Sequence, residues 1–127
     1  MKKNIIIGAV LGFLAVALGA FGAHALKDLL VKNDYQAVWE TGVQYQMFHA
    51  VAILVIGVLM SKNVIGNVKS LRVAATAMLI GTILFSGSLY VMAVTKITVL
   101  GAITPIGGVA FLIGWVALMM AAKQVKN

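Results

Sequence analysis

His24, His49 and Ser86 are the side chains in this sequence whose types most directly suggest chemistry, because each is set in strongly apolar surroundings. A serine paired with a histidine can be written as nucleophile and general base, an arrangement similar to that of intramembrane proteases. Against a Ser86–His49 dyad, residue 84 is Leu where a Gly-x-Ser-Gly loop wants Gly, and the apolar run shows no evident water channel. Imidazoles also titrate near neutrality and ligate metals, so the two histidines are candidates for proton transfer or for a metal or haem site. Two ligands without a cysteine or a spare carboxylate nearby make a weak site. The chain has no cysteine at all, which removes disulfides, thiolate catalysis and Cys-ligated metal together. The expectation is therefore no catalytic, cofactor-binding or metal-binding residue, and no cofactor.

What must position these side chains is a set of four long apolar stretches, roughly residues 4–26, 44–60, 71–94 and 99–122. Each is long enough, or nearly so, to cross a hydrocarbon core of about 30 Å at about 1.5 Å per helical residue. Backbone groups cannot be left bare in lipid, and unbroken apolar runs without period-2 alternation favour helices over a barrel. With 62% hydrophobic residues, 10% charged and a mean hydropathy of +1.06, the 127 residues read as one domain, a bundle of four transmembrane helices. The net charge of +7 is a topology signal and not a nucleic-acid footprint. Lys2, Lys3, Lys62, Lys69, Arg72, Lys123 and Lys126 fall on one side, while Lys27, Lys32 and Lys96 fall on the other. This bias places both termini in the cytoplasm, in the inner cell membrane, with lipids as partners.

Lys2-Lys3, an apolar run and Ala23-His24-Ala25 together also resemble a signal peptide, but the run is long for one and is read as a retained span. The three acids Asp28, Asp34 and Glu40 all lie in the first outer loop. There Asn33 and Gln36 have the form of a capping box, followed by Tyr35, Val38, Trp39, Gly42 and Val43 at helical spacing. A short interfacial helix beginning near Asp34 and running into the second span is expected, with Tyr35 and Trp39 at headgroup level.

Small residues recur along three spans: Gly8, Gly12, Ala15, Gly19 and Gly22 in the first, Ala74, Ala77, Gly81 and Ser88 in the third, and Gly107, Ala110, Gly114, Ala117 and Ala121 in the fourth. Lipid gives helices no hydrophobic reason to associate, so close packing across small residues must supply the attraction. Gly8, Gly12, Gly19, Gly22, Gly81, Gly107 and Gly114 are expected at helix contacts. Thr104-Pro105 opens the fourth helix or kinks it, with Gly107-Gly108 relieving the packing there.

With that topology, the polar residues His24, Gln44, Tyr45, Gln46, His49, Ser86, Ser88, Tyr90 and Thr104 gather in the outer halves of the spans. His49 should lie roughly 7 to 10 Å below the start of its span. Such residues serve as interhelical glue worth around 0.6 kcal/mol each on average, or as functional groups, because an unpaired ionisable residue in a membrane is costly. For His24 the expectation is structural, with Asp28 four residues on as its partner on one helical face. For His49 both roles stay open.

Gly19-Ala20-Phe21-Gly22-Ala23-His24, Tyr45-Gln46 with Phe48-His49, Leu84-Phe85-Ser86-Gly87-Ser88-Leu89-Tyr90, and Thr104-Pro105-Ile106-Gly107-Gly108 with Phe111-Leu112 and Gly114-Trp115 resemble the signature blocks of one family. It is the YgdD/YwdK-type family of small bacterial inner-membrane proteins, which has transmembrane relatives in eukaryotes. The resemblance covers all four spans and implies a four-helix membrane fold, with no established activity and no catalytic residue to carry over. It also implies that His24, Tyr45, Gln46, His49, Ser86, Ser88, Tyr90, Thr104 and Pro105 belong to the family pattern. The reading is a non-enzymatic structural or interaction component of the membrane, a homo-oligomer or the partner of another membrane protein. The alternative is a small oligomeric transporter or channel; small four-span exporters rely on a Glu in the first span, which this span lacks, leaving His49 or His24 to couple protons.

Overall fold

Apolar segments must satisfy their own backbone hydrogen bonds when no water is at hand, and helices do so within one segment. The computed structural model describes residues 1–125; Lys126, one of the charges in the topology signal, lies outside the described residues. The chain forms α1 (Lys2–Ala23), a short α2 (Lys27–Asn33), α3 (Gln36–Leu59), α4 (Lys69–Thr95), a 3-10 turn at Thr98–Ala102, α5 (Thr104–Ala121) and a last 3-10 turn at Ala122–Gln124. Among the described residues, four segments are long and apolar enough to span a membrane, the fourth counted from Thr98 to Gln124.

The first loop departs from the expected capping box. Its short helix is α2, upstream of Asp34, and α3 begins separately at Gln36. Asp34 adopts a left-handed conformation (φ 60°) that ends α2, a role a short polar side chain fills at little cost. Asn33 does not cap α3; its amide donates instead to the Ala93 and Val94 carbonyls at the end of α4, groups that a helix C-terminus leaves unpaired. The second span is therefore eight residues longer at its start than the apolar run, since the polar residues 36, 40 and 41 continue the same helix. Pro105 stands in the first turn of α5, where its missing N–H is no loss, so Thr104-Pro105 opens the helix and does not kink it.

Helices α3 and α4 form the inner pair, α1 packing on α3 and α5 on α4. The inner pair has 44% and 39% of its most apolar window buried, against 17% for each outer span. Toward the end that carries both termini, Ile53, Ile56, Leu71, Ala74, Met78, Ala117 and Ala121 make an apolar core. At the opposite end Leu30, Trp39 and Ala93 form a smaller one beneath α2. The α3–α4 connection is braced by Arg72, whose Nη1 donates to the Asn67 carbonyl (2.8 Å) and to Asn67 Oδ1 (3.1 Å).

Candidate functional site

Between the two apolar cores, the inner pair carries a layer of polar side chains, and the glycines decide how closely its walls approach. On α3, a Cβ at Gly42 would lie 2.8 Å from Tyr90 Cε1, so only glycine lets the Tyr90 ring lie against that turn. The same approach brings the Ser86 hydroxyl within 2.7 Å of the Gly42 carbonyl, to which it donates. One turn further along, the Tyr90 hydroxyl donates to Gln46 Oε1 (2.7 Å) and Gln46 Nε2 donates to the Leu11 carbonyl (2.8 Å). A single chain of bonds thus joins α4, α3 and α1. Ser88 and Thr104 tie α4 to the start of α5 with their hydroxyls 2.6 Å apart. Since Ser88 also donates to the Phe85 carbonyl at 2.9 Å, its one proton is spent and Thr104 is the donor between the two hydroxyls.

His49 sits just past the midpoint of α3, about 20 Å from the first residue of that helix at 1.5 Å per residue. That distance exceeds the one counted from the apolar run because the helix starts eight residues earlier, at Gln36. The Trp115 indole N–H can only donate, so at 3.0 Å His49 Nε2 must accept from it. That leaves the proton on Nδ1, which donates to the Tyr45 carbonyl at 2.8 Å. Both ring nitrogens are consumed, and the imidazole is the neutral Nδ1–H tautomer. Its face stacks on Phe111, with centroids 3.6 Å apart and planes 10° apart, while Phe48 and Trp115 meet it edge-on.

The structure thus brings Gln46, His49, Ser86, Ser88, Tyr90 and Thr104 into one layer, but in four separate hydrogen-bonded groups and not in one site. His49 and Ser86 share no hydrogen bond; each is committed to other partners. Tyr45 contributes its carbonyl, while its ring packs on Phe85 at 4.4 Å between centroids. Gln44 is exposed. His24 is also exposed and ends α1; Asp28 belongs to the next helix, so the expected pair on one helical face does not form. Among the described residues, the one buried side-chain polar atom without a partner is Ser70 Oγ, in the first turn of α4 and far along that helix from this layer.

Of the glycines on the stripes, Gly8, Gly22, Gly81, Gly107 and Gly114 lie where a Cβ would collide across a helix pair: with Leu54, the Trp39 indole, the Phe111 ring, the Phe85 backbone and Met78 respectively. At Gly19 the nearest atom would be Val43 Cγ1 at 3.4 Å, and at Gly12 a Cβ would meet nothing within 4 Å. Sequence reasoning passed over Trp115 as a partner of His49, and over the contacts of Trp39. Trp39 is buried (4% exposed), its N–H donating to the Leu18 carbonyl at 2.9 Å and its ring 4.8 Å from that of Tyr90. The available signal was the indole N–H itself, which seeks an acceptor wherever it is buried.

A family model described as a protein of unknown function, DUF423, matches residues 18–108. The chain is similar to the UPF0382 membrane protein YwdK of Bacillus subtilis, 49% identical over 124 residues and 98% of each chain. It is 48% identical to the UPF0382 membrane protein SAB0533 of Staphylococcus aureus over 123 residues, 95% of each chain. It is 40% identical to a UPF0382 membrane protein of Haemophilus influenzae over 126 residues, covering 99% of this chain and 98% of that one. No solved structure matches it significantly.

Proposed function

Because the chain belongs to the DUF423 family of membrane proteins, a family of unknown function, we propose that it is a non-enzymatic structural or interaction component of the cell membrane, its polar layer spent on holding the bundle together. The observation that carries this reading is the state of His49. An imidazole that accepts from Trp115, donates to Tyr45 and is stacked on Phe111 has no lone pair left for a metal, a substrate proton or a serine. Ser86 is likewise committed, to the Gly42 carbonyl, which argues against a hydrolytic dyad. The Lys and Arg distribution supports an inner-membrane orientation with both termini cytoplasmic.

Purified protein reconstituted into liposomes tests the reading through proton and monovalent-cation flux, beside unfolding of the same samples. The expected result is flux no greater than in protein-free liposomes, with His49→Leu lowering stability. Flux that His49→Gln abolishes while the fold stays intact would make the protein a transporter.

A further inference from the structure

We propose that the uncovered face of α3 is a binding groove for one zwitterionic phospholipid, its headgroup held between Lys27 and Glu40 and one acyl chain laid along the helix. This deepens the structural and interaction reading by naming a ligand, and it rests on that reading. With α1 on one side of α3 and α5 reaching it through Trp115, a strip of α3 is left bare. Gln36, Glu40, Gln44, Met47, Val51 and Val55 recur along it at steps of three and four, so they share one face, Glu40, Gln44, Val51 and Val55 exposed and Gln36 and Met47 half-buried.

That strip changes chemistry along its length. At the α2 end it opens into a cavity of about 350 Å³ whose lining includes Lys27, Gln36, Glu40 and Gln44 beside Gly19 and Trp39. Farther along it becomes an apolar groove of about 660 Å³ lined by Met47, Phe48, Val51, Val55, Trp115 and Leu118. Val43 and Gln44 line both, so the two are continuous. From Glu40 to Val55 the face runs about 22 Å at 1.5 Å per residue, which matches the roughly 20–22 Å of one leaflet with its headgroup region.

Charge selects the headgroup. Lys27 and Glu40 border the same cavity, are both exposed, and form no ion pair among the described residues. A cation and an anion facing one small cavity without meeting each other complement a molecule that carries both charges, a phosphate toward Lys27 and an ammonium toward Glu40. Gln36 and Gln44 add donors and acceptors at the same level. An anionic lipid would satisfy Lys27 and be repelled by Glu40.

The test is native mass spectrometry of the full chain in detergent, titrated with phosphatidylethanolamine or phosphatidylglycerol. Wild type should carry one phosphatidylethanolamine in clear preference to phosphatidylglycerol. Glu40→Gln should shift the ratio toward phosphatidylglycerol by about fivefold, and Lys27→Gln should weaken both lipids by about that factor, as expected for one charge at a membrane surface. Met47→Trp, which fills the groove, should lose both lipids; Val51→Phe does the same at a second position if Met47→Trp misfolds, and thermal unfolding checks the fold of each. Equal adducts of the two lipids on wild type, an unchanged ratio in Glu40→Gln, full binding in a folded groove-filled variant, or a protein dimer that excludes lipid would each overturn the proposal. None of these outcomes bears on flux, so the broader reading stands or falls separately.

Discussion

Replacing His49 by leucine should leave the Trp115 indole N–H without an acceptor in the part-buried contact between α3 and α5. The shape is nearly conserved, so the cost comes from that donor and from the lost stack on Phe111, whose ring centroid lies 3.6 Å away. Tyr45 loses little, because its carbonyl keeps the ordinary helical bond from the backbone of residue 49. An unsatisfied buried donor costs about 1–3 kcal/mol, while interhelical hydrogen bonds in membranes average about 0.6 and reach about 1.7 kcal/mol. A loss of about 1–2 kcal/mol is therefore expected. His49→Gln should lose about half of that or less, since its Oε1 can still accept from Trp115. The sharper measurement is a double-mutant cycle of His49→Leu with Trp115→Phe, read by reversible unfolding in mixed detergent micelles. The double variant removes donor and acceptor together, so it should cost less than the two single changes added, by about 0.6–1.7 kcal/mol. Strict additivity would mean that the bond at 3.0 Å contributes nothing, and the account of His49 as a structural acceptor would fail.

Gly107→Ala should destabilise by about 1–3 kcal/mol as overpacking does, because its Cβ would press on the Phe85 backbone, which cannot rotate away. By contrast Gly12→Ala, where a Cβ meets nothing within 4 Å, should be neutral or raise stability by up to about 1 kcal/mol through helix propensity; thermal unfolding of the two side by side separates contact glycines from incidental ones. Ser86→Ala should cost only about 0.6 kcal/mol, since the Gly42 carbonyl retains its helical partner, and a loss several times larger in chemical unfolding would point to a role beyond this one bond. For orientation, single cysteines at Asn33 or Lys96 should react with an impermeant thiol reagent in intact cells while one at Asn67 should not, and labelling at Asn67 would invert the bundle.

Sequence alone determined that the chain is four membrane helices. Run length and hydropathy suffice for that, since a segment in lipid has no partner for its backbone except itself. The small stripes in the sequence named Gly8, Gly22, Gly81, Gly107 and Gly114 together with Gly12, where a Cβ meets nothing, and Gly19, where contact is ordinary; its outer-half group held Gln46, His49, Ser86, Ser88, Tyr90 and Thr104 together with the exposed His24, Gln44 and Tyr45. Depth says nothing of who bonds whom. Which carbonyl a serine meets depends on the rotation and approach of two helices, set by side chains such as Tyr90 against Gly42, and neither helix encodes the other's position. For the same reason the pairing of His49 with Trp115, 66 residues apart, the burial of Trp39 and the use of Asn33 on the end of α4 were decided only in three dimensions. In the first loop Asn33 reads as a cap while it has only sequence neighbours; with α1 and α4 beside the loop, Asn33 donates to the unpaired carbonyls at the end of α4 and Trp39 to the Leu18 carbonyl of α1.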